Sequence, residues 1–120
     1  LETNPFKEKI FNLDDRLIRF AENVFSLHEN WKKAMKTNRQ ESTYPFIGSS
    51  ALNFGESQGA ASDKDLIFKL ALVVKELKES RNSLKILNYI NEGCQDFRTL
   101  LLIEVEELIA IVSKIIINKK

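Results

Sequence analysis

The chain has 120 residues, 43% of them hydrophobic and 29% charged, which is enough for one domain with its own core and ordinary for a soluble globular protein. Eighteen basic against seventeen acidic residues leave a net charge of +1, so no global field draws the molecule to nucleic acid or to a membrane surface. A single cysteine, Cys94, excludes an internal disulfide and suits a reducing compartment.

Helical spacing dominates from the start. Leu13, Leu17, Phe20, Ala21, Val24 and Leu27 recur at three- and four-residue steps behind Asn12, a good N-cap, and predict a first helix over about 13–31. Residues 29–42 are polar and basic. Thr43, Tyr44 and Pro45 then read as a cap with proline in the first turn, opening a second helix over about 43–57. After a polar turn at 59–62, Ser62 or Asp63 caps a third helix over about 63–92. Leu66, Ile67, Leu70, Val74, Leu77, Leu84 and Leu87 form its apolar face, and Gly93 is its stop. A fourth helix over about 96–117 carries Leu101, Val105, Leu108, Val112 and Ile115. Glu104, Glu107, Lys114 and Asn118 form its solvated strip. The fold expected is all-α, a single antiparallel up-down-up-down four-helix bundle spanning 1–120.

Two helices carry more apolar surface than one bundle hides. Phe68, Leu72 and Ile86 on the third helix lie opposite its core face. Leu102, Ile109 and Ile116, a heptad apart, form a second stripe on the fourth. Exposed apolar patches of this kind mark association, so these six residues are the expected contact of a homo-oligomer.

In the second helix Gly48, Gly55 and Gly59 share one side, and glycine inside a helix implies the close approach of a neighbour. Ser49, Asn53 and Glu56 cluster on the other flank. They read as a buried polar network that fixes helix register or a subunit contact, with Lys69 as the partner of Glu56.

The run Ser49-x-x-x-Asn53-x-x-Glu56, a polar turn, Asp65-Leu66-Ile67-x-Lys69, then Lys75-Glu76-Leu77-Lys78-Glu79 resembles a bacterial four-helix-bundle family. Its members are encoded in intervening sequences of 23S ribosomal RNA genes and are also labelled S23 ribosomal protein. The likeness is closest from Gly48 to Leu87 and general in the outer helices. It departs at Pro45, where family members carry an arginine. The resemblance implies a non-enzymatic bundle that associates into rings, pentamers among them. A related branch serves diversity-generating retroelements as an accessory that binds reverse transcriptase and nucleic acid, and that role is the alternative expectation here.

The residues suggest no catalytic, cofactor or metal site and no small-molecule substrate. His28 is the only histidine and lacks a Glu three positions before it, so the metal-binding pairs of di-iron bundles are missing; a half-exposed place near a helix end is expected for it. Cys94 beside Gly93 reads as inert. For RNA or DNA the candidate contacts are Lys32, Lys33, Lys36 and Arg39 beside Trp31, and Lys75, Lys78, Arg81 and Lys85 on the third helix. No charged-then-apolar segment opens the chain, and Glu104, Glu106 and Glu107 interrupt its most apolar stretch, so no membrane partner and a cytoplasmic location are expected.

Overall fold

The computed structural model of the chain describes residues 12–34, 48–91 and 94–120, apart from the side chains of 31–34. These residues form four helices and no strand: α1 (Leu13–Ala34), α2 (Ser49–Ser57), α3 (Asp63–Tyr89) and α4 (Gln95–Lys119).

α1 and α3 begin where the sequence supplies a side-chain acceptor. The Asp14 N–H donates to Asn12 Oδ1 at 3.1 Å, and Asp14 and Asp15 sit at the positive end of the α1 dipole. At α3 the Asp65 N–H donates to Ser62 Oγ at 3.1 Å, while the Asp65 carboxylate accepts from the Ala61 N–H at 3.2 Å, a reciprocal cap. α2 has only nine residues and Gly48 gives it no side-chain cap, so packing of its buried Ser50, Phe54 and Ser57 holds it. The expected cap at Thr43 and Pro45 lies outside the described residues.

α3 stops earlier than expected. It ends at Tyr89, and Asn91 takes up the left-handed turn (φ 58°) that the sequence reading gave to Gly93, which lies outside the described residues. Asparagine tolerates this region better than other side chains. Arg98, fully buried in the first turn of α4, locks the corner: its Nε donates to Asn88 Oδ1 at 3.1 Å and its Nη2 to Asn91 Oδ1 at 2.9 Å.

α3 and α4 run antiparallel. Asn88 bonds to Arg98, Arg81 Nη1 donates to Glu106 Oε1 at 2.8 Å, and Leu66 and Leu70 lie beside Ile115 and Lys119. α2 packs back on α3 through the turn at 58–62. α1 does not run alongside this hairpin. Arg16 binds Glu104 on α4 and His28 binds Ser83 on α3. Those partners sit at one level of the hairpin, yet Arg16 and His28 are about 18 Å apart along their helix. α1 therefore crosses the hairpin at a steep angle, whereas the expected bundle has its neighbours antiparallel, and the molecule is flat, 47 × 40 × 21 Å.

The core joins Leu17, Phe20, Val24 and Leu27 of α1, Phe54 of α2, Leu70, Leu77, Leu84 and Leu87 of α3, and Leu101, Val105, Leu108 and Val112 of α4. Val73 is fully buried where Val74 was expected; Val74 is half-buried against the cluster. Among the described residues nothing comes close to the glycines in and beside α2. A Cβ built at Gly48 or Gly55 meets nothing within 4 Å, and at Gly59 only the Glu56 carbonyl at 3.8 Å.

Candidate functional site

The polar residues that chemistry would use are placed by the crossing of α1. Arg16 lies one turn into α1 and Glu104 in the third turn of α4, on its buried stripe. The guanidinium grips the carboxylate through two bonds, Nε to Oε2 at 2.9 Å and Nη2 to Oε1, and Nη2 also reaches Glu107 Oε1 at 3.3 Å. Glu104 is 1% exposed. The hydrogen bonds that Arg16 donates to Glu104 raise its pKa above the ordinary value, desolvation opposes this, and Glu107 adds to the rise. Glu104 was expected on the solvated strip. Its place beside Leu101 and Leu108, one turn before and after, is the signal that could have set it on the core flank.

His28, expected half-exposed, is 2% exposed and shares a hydrogen bond through Nε2 with Ser83 Oγ. Burial lowers its pKa to about 4, so the ring is neutral at neutral pH. A serine and a histidine in contact are the elements of a nucleophilic pair, but both are buried in the α1–α3 crossing, away from any approach by substrate. The pair holds α1 to α3.

A cleft of about 560 Å³ opens where the end of α2, the turn, the start of α3 and the end of α4 meet. Phe54, Leu66, Leu70 and Ile115 make its walls. Its polar groups already serve the helix ends. Ser57 Oγ donates to the Phe54 carbonyl at 2.6 Å and accepts from Gln58 Nε2 at 3.1 Å, and Ser62 caps α3. A ligand pocket needs polar groups converging on its interior; here Ser57 and Ser62 are turned to the backbone, and Asp63 and Lys119 complete the polar lining. Among the described residues no group of three His, Cys, Asp or Glu is placed to hold a metal ion, and no helix is long and apolar enough to cross a membrane.

Of the expected polar network, Ser49 and Asn53 are half-buried and Glu56 is exposed, so Glu56 is not part of a buried network within the chain. Lys69 pairs with Asp65 on its own helix at 3.3 Å instead. The buried polar side chains of α2 are Ser50 and Ser57, neither of which the residue spacing singles out. Arg98, Ser80 and Ser83 were missed too. Ser50 and Ser80 have hydroxyls without a hydrogen-bond partner.

Of the six expected contact residues, Phe68 and Ile86 stand 64% and 63% exposed and Leu72 is half-buried. Leu102, Ile109 and Ile116 instead pack partly buried against the core, because α3 lies on that side of α4. The exposed apolar residues of α4 are Ile103 and Ile117, on the stripe next to the one expected. Lys75, Lys78 and Lys85 are exposed along α3, whereas Arg81 is turned to Glu106. The side chains of Lys32 and Lys33, and the whole of Lys36 and Arg39, lie outside the described residues. No family model, curated protein or solved structure matches the chain.

Proposed function

We propose that the protein is a non-catalytic helical module that works by joining copies of itself, as a scaffold or RNA-linked binding protein in a reducing cytoplasm. One observation carries the reading: Phe25, Leu52, Phe68, Ile86, Ile103 and Ile117 all stay exposed although a continuous core is already filled. Single exposed apolar residues are ordinary, but large ones repeated along adjoining helices mark a surface that another chain covers. The lone exposed Cys94 suits the reducing compartment. The resemblance of residues 48–87 to the intervening-sequence family supports self-association and favours a ring such as a pentamer. Native mass measurement at micromolar concentration tests the reading, and a mass of one 13.8 kDa chain would sink it.

A second reading has one observation of its own. Lys75, Lys78 and Lys85 keep free faces on α3, with Tyr89, 92% exposed, beyond them. Such a line supports nucleic-acid contact of the retroelement-accessory kind, with the aromatic ring available for stacking. The gel shift of structured RNA would then fall off between about 50 and 200 mM salt, and Lys78→Glu with Lys85→Glu would abolish it.

A further inference from the structure

The ridges that α3 and α4 turn away from the core share a symmetry that folding of a single chain does not require. On α4 the ridge is Ile103, Glu106, Ala110, Lys114 and Ile117, all exposed. Ile103 and Ile117 stand seven positions either side of Ala110, and Glu106 and Lys114 stand four either side. Reversed, the ridge presents the same apolar ends with the two charges exchanged. On α3, Phe68 and Ile86 stand nine positions either side of Leu77, and Lys75 and Glu79 two. The Arg81–Glu106 ion pair sets the register between the helices. Leu77, four before Arg81, is level with Ala110, four after Glu106, because the helices are antiparallel. One axis across the hairpin at that level serves both ridges.

We propose that this face binds a second copy of the chain about a two-fold axis, α3 against α3 and α4 against α4, each pair antiparallel. Ile103 meets Ile117 of the partner subunit, and Phe68 meets Ile86 of the partner subunit. Glu106 faces Lys114 of the partner subunit, and Lys75 faces Glu79 of the partner subunit. A two-fold contact is self-complementary by definition, and a surface that exchanges its charges on reversal meets that condition twice over. A parallel arrangement would set Glu106 on Glu106 and Lys114 on Lys114, which repel. Ala110 at the axis lets the α4 backbones approach, and the α4 ridge is about 21 Å long. The proposal rests on the self-association reading and deepens it: the contact makes a pair where the family resemblance favours a ring.

Disulfide trapping tests it in a chain whose exposed Cys94 is replaced by serine. Ala110→Cys should cross-link to its own copy under mild oxidation, giving a band at twice 13.8 kDa. Ile103→Cys and Ile117→Cys should each stay uncross-linked alone and cross-link when mixed. Native mass should show two copies, and Ile117→Asp should weaken association at least about tenfold. All three positions are exposed, and circular dichroism checks that each variant folds. A mass of one copy overturns both the pair and the self-association reading. Three or more copies without an Ala110→Cys cross-link overturns the pair alone.

Discussion

Glu104 and Arg16 are both withdrawn from water; Arg16 compensates the carboxylate, and Glu104 together with Glu107 compensates the guanidinium. Removing one partner leaves the other charge buried. Glu104→Gln should therefore destabilise the fold by about 3–5 kcal/mol in urea unfolding, whereas Arg16→Met with Glu104→Leu should recover most of the loss. His28 gives a pH dependence with a definite sign. The unfolded chain takes up a proton near pH 6.5 and the folded chain only near 4, so stability is full above 6.5 and is lost as pH falls through that window. The loss is of the order of 3 kcal/mol, and His28→Gln should flatten the slope between pH 6.5 and 5, where carboxylates remain ionised. Ser80 points the other way. Its hydroxyl is buried without a partner, so Ser80→Ala should raise the urea midpoint by an amount worth about 1 kcal/mol.

At the scale of elements, α2 is the short helix that its neighbours hold in place. Gly55 lies inside it, exposed, with open space where a methyl group would go. Gly55→Ala should stabilise the protein by about 0.5–1 kcal/mol, read as a higher thermal midpoint with unchanged association. A loss of association would show that a second chain uses that side. The helices themselves were largely legible in the sequence, because three- and four-residue apolar steps and the caps at Asn12 and Ser62 are local signals. What local spacing could not supply was the direction of each neighbour. It assigned Leu102, Ile109 and Ile116 to the outside because it had no means of knowing that α3 covers that side. It set Glu104 in water because a carboxylate is buried only when a distant arginine arrives, and Arg16 lies 88 positions away. The glycines misled for a related reason: a helix-packing pattern marks opportunity for contact, and among the described residues no neighbour takes it.

For the whole molecule, the transverse course of α1 has a consequence for the order of assembly. The α3–α4 hairpin closes over a short corner, where Arg98 finds Asn88 and Asn91 within ten positions. The anchors of α1 bridge separations of 88 and 55 positions and must wait for that platform. α1 should then behave as the last piece to dock and the first to lift. Hydrogen–deuterium exchange should find its amides opening by a cheaper, separate fluctuation, while the hairpin amides are released only when the entire chain unravels.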